Sequence, residues 1–429
     1  VVDQNLLSNL RARGLVHQTT GDEGLAEHLN AGPTVIYAGF DPTGDSLHIG
    51  HLIPLLALRR FQLAGHRVIA LAGGATGMVG DPSGRSSERN LLTREDLQHN
   101  KEAIKEQLSA FLDFEGENPA ELVDNLDWTG EVKLLDFLRD QGKFFRVNEM
   151  IKRDSVKDRL EREGEGLSFT EFSYMLLQGN DFRALSRSHG CKVQIGGSDQ
   201  WGNIVAGTDL ARKSDGAHLF GMTCPLLTRS DGSKFGKTAG GESVWLDPNQ
   251  TSPFQFRQFW FNQADADMPK LLRFFSFCSL EEIEALEALA AAEPGARLCQ
   301  KALATEMTAL VHGEDMAERI ERAAPVVFNP KGDLRQVDPE VLTQAFPTVG
   351  FQRSTLEAGV PWLDLVVQIV WEGANKRGQA RKDIQNNGMS LNGAKWTDPD
   401  ASVGISELLH DRFLMIRKGK KLQFLVEVS

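Results

Sequence analysis

A chain of 429 residues, 41% hydrophobic and 25% charged, has the composition of a globular protein with room for two or three domains, which excludes a disordered or fibrous one. No apolar run approaches the length of a membrane-spanning helix, and a net charge of −12 argues against a general nucleic-acid binder. Cys191, Cys224, Cys278 and Cys299 show neither metal-ligand spacing nor a disulfide framework; with a first stretch, Val-Val-Asp-Gln-Asn-Leu-Leu, that is neither a signal nor a transit peptide, the expectation is a cytoplasmic protein with reduced thiols and no protein metal site.

Residues 1–33 read as a helical lead-in. Thr34-Val35-Ile36-Tyr37 then reads as the end of a buried strand, and Leu52, Leu55, Leu56, Phe61 and Leu63 recur at helical spacing. Between them lies a Pro/Gly turn ending in His48-Ile49-Gly50-His51, so a helix starts near Leu47 or His48. Such a terminus offers free N–H groups and a positive dipole end, which suits a phosphate. Gly50 has no side chain, so a flat ring could lie on its backbone. Two surface histidines beside a helix cap would give the same four letters. A second apolar strand, Arg67–Ala72, runs into the glycine-rich Gly73–Pro82. Two such strands around an amphipathic helix imply a parallel sheet of Rossmann type, yet neither a dinucleotide fingerprint nor a P-loop follows.

From Thr93 to about Phe182 the pattern is mostly helical, with Asn125-Leu126-Asp127-Trp128 as a turn. Val193–Asn203 returns to the sheet as a strand, a glycine turn and a helix; ligands bind beyond the carboxyl ends of such strands, so this turn and the Tyr37–His51 turn should face one crevice. Thr228–Thr238 is a polar loop in which Lys234 and Lys237 flank a glycine; it fits either a polyphosphate grip or an exposed basic loop. Residues 250–322 read as helices, one opened by the capping box Ser279–Glu282. Residues 323–359, with four prolines, read as a linker with little core. A small α+β unit follows from Val360, with 10 Lys/Arg against 8 Asp/Glu, a slight basic excess that would concentrate any RNA contacts there. The chain holds 24 Phe but only 2 Tyr, so Tyr37 and Tyr174 need a reason that involves the hydroxyl.

Taken in order, His48–His51, a Rossmann-like sheet, Lys234-Phe235-Gly236-Lys237-Thr238, a helical segment and a basic tail resemble the bacterial tyrosyl-tRNA synthetases, a class I aminoacyl-tRNA synthetase family, over essentially the whole chain. The second signature is usually Lys-Met-Ser-Lys-Ser; the form here is similar to a variant in many tyrosyl enzymes. The resemblance implies a Rossmann-type α/β catalytic domain with a helical insertion over 1–247, a helical domain on the tRNA anticodon side over 248–322, the linker 323–359 and a C-terminal RNA-binding domain with the alpha-L motif over 360–429. It implies L-tyrosine, ATP with Mg²⁺ and tRNA as partners, and a homodimer.

The implied reaction joins tyrosine to AMP with release of pyrophosphate, then passes the tyrosyl group to the tRNA. A carboxylate is already a nucleophile, so this chemistry asks for positioning and charge stabilisation rather than a covalent enzyme intermediate. By resemblance, Thr43 and His48 hold the γ-phosphate end, and Gly39, Asp41, Gly50, His51, Gly196 and Asp199 border the nucleotide. Lys234, Lys237 and Thr238 face pyrophosphate, with Arg85 and Arg89 as a second basic segment in which the family often has Lys at the first position. Tyr37 and Asp181 hold the substrate phenol; Tyr174, Gln178 and Asp81 hold its ammonium group; Asp41, Gln194 and Gln200 match further substrate-side positions. On a helix, 174, 178 and 181 share one face. Buried phenol partners reject phenylalanine because they would be left unpaired. Asn180 departs from the aromatic residue common at that position. The RNA-facing candidates are Lys376, Arg377, Arg381, Lys382, Arg417, Lys418, Lys420 and Lys421. A tryptophanyl enzyme would share the fold and both signatures but not the tail. A small-molecule adenylyltransferase would be shorter. A binding protein on a synthetase scaffold would not need both signatures intact.

Overall fold

The structure is a computed structural model that describes residues 2–83, 92–161, 166–232, 235–237, 241–329, 332–371, 376–419 and 422–429. Arg85, Arg89, Lys234, Thr238, Lys420 and Lys421 lie outside the described residues. The chain divides into two compact units, 1–250 with 262–303, and 251–261 with 304–429. The expected helical segment 248–322 is therefore shared between them.

The first unit is built on a six-stranded sheet: β1 Gln18–Thr19, β2 Val35–Phe40, β3 Arg67–Ala72, β4 Glu121–Asp124, β5 Cys191–Gly197 and β6 Phe220–Cys224. Their order is β1-β6-β5-β2-β3-β4. All neighbours run parallel except the edge pair β1–β6. β2, β3 and β6 are apolar along nearly their whole length because helices cover both faces of a parallel sheet. β2 runs three residues past Tyr37, to Phe40. The sequence reading missed β1, β4 and β6: β1 and β4 are short edge strands, and the four residues of β4 are only half-buried, so no apolar run marks them, while the buried β6 is five residues long and is interrupted by Gly221 and Thr223.

After β2 the chain builds outward to β3 and β4, then returns to add β5 and β6 on the other side. The switch point thus lies between β2 and β5, where Tyr37 is in register with Gln194. Helix Phe169–Ser188 packs on helix Trp201–Asp215 at two glycines: a Cβ on Gly207 would lie 3.5 Å from the Gly179 Cα and 3.1 Å from the Phe182 ring. Later in this unit, Ser279 accepts the Glu282 N–H as the capping box predicts.

In the second unit a five-stranded sheet takes the order β10-β9-β12-β13-β7. It contains β7 Thr348–Phe351, β9 Met389–Leu391, β10 Ala394–Lys395, β12 Phe413–Lys418 and β13 Leu422–Val428; β8 Val360–Pro361 pairs separately with β11 Ser402–Val403. Side chains alternate along β12, so its two faces serve two cores. Leu414 and Ile416 pack with Trp362, Val366 and Ile384, while Phe413 and Met415 pack with Ile320, Val341 and Leu342. Residues 323–359 are therefore not a linker with little core. Ala323, Val327, Leu334, Val337, Val341, Leu342 and Phe346 are buried in the second of these clusters. The prolines misled the reading because Pro339 opens a helix at its first position, behind an Asp338 cap that accepts the Glu340 N–H at 2.9 Å. Among the described residues no helix is long and apolar enough to cross a membrane.

Candidate active site

A cavity of about 720 Å³ opens at the switch point, within the first unit. It is lined by Tyr37, Gly39, Asp41, Thr43, His48, Gly50, His51, Asp81, Tyr174, Gln178, Asp181, Gln194, Gly196, Asp199, Gln200 and Lys237. Every described candidate for tyrosine, ATP or catalysis is thus on one wall or another of a single space.

The histidine turn is fixed by its own backbone. His48 is the N-cap of helix Ile49–Leu63; its Nδ1 accepts the Gly50 N–H at 3.0 Å, and its own N–H donates to His51 Nδ1 at 3.1 Å. The two rings stack with centroids 4.0 Å apart. Because both Nδ1 atoms accept, each neutral ring carries its proton on Nε2 and is a donor there. A Cβ on Gly50 would lie 2.8 Å from the His48 ring, so this glycine is required first for the fold-back of His48. The expectation of a flat ring on its backbone rests on exposure alone.

The two signatures meet through a segment to which sequence reasoning gave no role. Ile49 N–H donates to the Val244 carbonyl at 3.1 Å, and Leu246 N–H to the Leu47 carbonyl at 2.9 Å. On the other side Val244 N–H donates to the Gly236 carbonyl at 3.0 Å, and Lys237 is bridged to Ser243. Residues 243–246 splint the lysine loop to the histidine turn. Nothing in their spacing announces this.

Around β2 and β5 the cavity wall is polar and buried. Asn125 Nδ2 donates to Asp181 Oδ2 at 2.9 Å and Trp128 Nε1 to Asp181 Oδ1 at 2.8 Å. Asn125 also reaches Thr76 Oγ1, whose hydroxyl donates to Asp41 Oδ1 at 2.7 Å; the Tyr174 hydroxyl donates to Asp41 Oδ2 at 2.8 Å. Gln200 donates to Asp81 at 2.6 Å, and Asn203 to Gln178 at 3.0 Å. Thr76, Asn125, Trp128 and Asn203 were not singled out from the sequence. Asn125 and Trp128 stood in a segment read only as a turn, and total burial of an asparagine is a tertiary fact.

Burial pushes the Asp181 carboxyl up to about 7, against the opposing pull of the Asn125 and Trp128 hydrogen bonds. Burial, then the nearby Asp181, raises the Tyr37 phenol well above its usual value; burial, then Asp41 and Asp81, does the same for Tyr174. Both phenols are neutral donors. Cys224 also lines the cavity, as a thiol held protonated by burial at about 12. Three polar atoms of cavity-lining residues are buried without a hydrogen-bond partner: Tyr37 Oη, Ser83 Oγ and Gln194 Oε1. The first and last belong to the register pair at the switch point. Such orphans are expected where a ligand supplies the missing partner.

The RNA candidates divide. Lys376, Arg377 and Lys382 are exposed, on or next to helix Arg377–Gln385. Arg377 pairs with Asp364, Arg381 with Asp400 at 3.1 Å, and Lys418 with Asp383 at 2.9 Å while lying over the Trp371 ring. Arg417 does not face solvent. It is 6% exposed, and its guanidinium points at the Val327 and Asn329 carbonyls at 3.5 Å. Alternation along β12 puts 417 inside, and burial draws its pKa down.

A parallel sheet whose switch point joins a histidine turn at a helix start to a lysine loop defines a nucleotide-activating class. The family described as tRNA synthetases class I (W and Y) matches residues 29–329, and the chain belongs to it. Within that class its branch is the tyrosine–tRNA ligases. The C-terminal domain of that ligase matches residues 343–426. A tyrosine–tRNA ligase of Klebsiella pneumoniae is 48% identical over 99% of this chain and 98% of its own, and one of Escherichia coli is 48% identical over 98% of each. The C-terminally truncated mitochondrial tyrosyl-tRNA synthetase of Aspergillus nidulans superposes with a TM-score of 0.68 at 32% identity, over 75% of this chain and 93% of that one. A tryptophanyl enzyme of Encephalitozoon cuniculi shares the fold alone, at 15% identity and a TM-score of 0.52 over 74% of this chain and 93% of its own.

Proposed function

We propose that this cavity activates L-tyrosine with ATP and transfers the tyrosyl group to tRNA, the reaction of a tyrosine–tRNA ligase. The observation that carries the substrate assignment is the unpaired, buried Tyr37 hydroxyl beside Asp181. A substrate phenol donates to the carboxylate and accepts from Tyr37 at once. Asp81, Tyr174 and Gln178 take the ammonium group. The substrate carboxylate is left to attack the α-phosphate, forming the acyl–phosphate bond as pyrophosphate leaves. His48 donates from Nε2 to the phosphates, His51 stands by the ribose and adenine, Thr43 adds a hydroxyl, and Lys237 offsets the charge on pyrophosphate, with Lys234, Thr238, Arg85 and Arg89 assigned to the same end. Gly39, Gly50, Gly196 and Asp199 border the ribose and adenine, with Gln194 and Gln200 on the tyrosine side.

Mg²⁺ enters with ATP on its phosphates; among the described residues no group of three or more His, Cys, Asp or Glu stands ready to hold it. RNA contacts fall to Lys376, Arg377, Arg381, Lys382 and Lys418 in the second unit, with Lys420 and Lys421. A cytoplasmic homodimer completes the reading; Leu134, Leu135 and Phe169, 70%, 77% and 76% exposed, offer apolar surface to a second copy. The test is amino-acid-dependent exchange of labelled pyrophosphate into ATP without tRNA. Exchange with tyrosine but not with phenylalanine or tryptophan is expected. Exchange with tryptophan would overturn the pocket assignment, and no exchange at all would overturn the activity.

A further inference from the structure

Helix Met268–Phe275 touches the second signature at Phe235 and the histidine helix at Arg60, although no residue of it lines the cavity. Asp267 occupies its N-cap position but makes no capping hydrogen bond. Its carboxylate, on a residue only 8% exposed, instead accepts the Ser230 N–H at 2.8 Å. A cap residue that leaves its own helix uncapped is spent elsewhere. Ser230 sits in the turn Arg229–Gly232, closed by the Gly232 N–H on the Arg229 carbonyl at 2.9 Å. From that turn the Arg229 guanidinium donates to the Lys237 carbonyl at 2.7 Å. The Phe235 and Phe275 rings stack at 6.0 Å, and Lys270 Nζ reaches the Thr228 carbonyl at 3.5 Å.

The other end of the same helix is held by the histidine helix. Arg60, on Ile49–Leu63, donates to the Ser276 carbonyl at 2.7 Å and lies over the Phe277 ring; Arg13 donates to the same carbonyl at 3.1 Å. Two guanidiniums thus sit where the helix dipole is negative. The helix is a strut, fixed to the His48–His51 element by Arg60 and to the lysine loop by Asp267.

We infer that Asp267 is a positioning residue for Lys237, acting through Ser230 and the Arg229 guanidinium. The inference rests on the proposed activation reaction, in which Lys237 meets the ATP phosphates. Losing a hydrogen bond to a charged group changes an equilibrium about tenfold. Asp267→Ala is therefore expected to lower kcat/KM for ATP in pyrophosphate exchange about tenfold, while tyrosine affinity, measured by equilibrium dialysis, stays unchanged. Asp267→Asn keeps an acceptor oxygen for Ser230 and should restore most of the loss. Arg229→Met, at a half-buried position in a surface turn, should reproduce the ATP defect. The double variant Asp267→Ala/Arg229→Met should be no worse than either single one, because both act along one path.

Three results would overturn the inference: an Asp267→Ala enzyme with unchanged ATP parameters, one that loses tyrosine affinity in proportion, or additive losses in the double variant. Should Asp267→Ala not fold, Arg229→Met with normal ATP kinetics would overturn it alone. Failure of the underlying reading is separable, since it would show as absent tyrosine-dependent exchange in the unmodified protein.

Discussion

Tyr37→Phe probes the substrate assignment through two effects of opposite sign. In the unliganded protein the Tyr37 hydroxyl is buried without a partner. Leaving such a group unsatisfied costs roughly 1–3 kcal/mol, so deleting the oxygen should leave the free protein as stable as before or more stable by up to about 1 kcal/mol. Bound tyrosine loses a neutral hydrogen bond of roughly 0.5–1.5 kcal/mol, a fall of about two- to tenfold in kcat/KM. Phenylalanine moves the other way, because the polar group it could not satisfy is gone. The tyrosine-to-phenylalanine ratio should therefore drop by more than the tyrosine loss alone. Urea unfolding gives the first quantity and pyrophosphate exchange with each amino acid the second. A variant that is clearly less stable yet keeps the ratio would refute the reasoning: the hydroxyl would then have a structural partner and no role in selection.

Other outcomes follow from the same geometry. Gly50→Ala drives a methyl to 2.8 Å from the His48 ring, so the Gly50 N–H bond to Nδ1 should break; exchange kinetics should show a loss of at least about tenfold in kcat with the melting temperature little changed. Asp181 titrates near 7 in the folded protein against 3.8 for an ordinary aspartate. The native state therefore binds the extra proton between those values, and stability of the unliganded protein should be highest at the acid end and fall as pH rises towards 7, by a few kcal/mol (an order-of-magnitude figure). Urea unfolding between pH 5 and 8, compared with Asp181→Asn, isolates this slope, and equal slopes would exclude it. In the second unit, Lys376→Gln and Lys382→Gln should each weaken tRNA binding and reduce its salt dependence by about one counterion. Arg417→Met should leave the salt slope alone and change the unfolding midpoint instead, since its guanidinium serves two carbonyls inside.

The sequence by itself determined the class of chemistry. The apolar runs of β2 and β3 announced a parallel sheet, a strand–turn–helix placed His48 and His51 at a helix start, and scarcity singled out Tyr37 and Tyr174, which both line the cavity. These are local or compositional signals, written within a few residues. Only the tertiary structure decided which groups complete the site. Asn125 and Trp128 reach Asp181 across more than fifty residues of chain, and 243–246 ties two signatures that the sequence leaves almost two hundred residues apart. It also decided the fate of Arg417: a basic residue in a basic stretch looks like an RNA contact, but alternation along β12 turns its side chain inward. Partners distant in sequence leave no periodicity, and burial of a polar side chain follows from what packs over it.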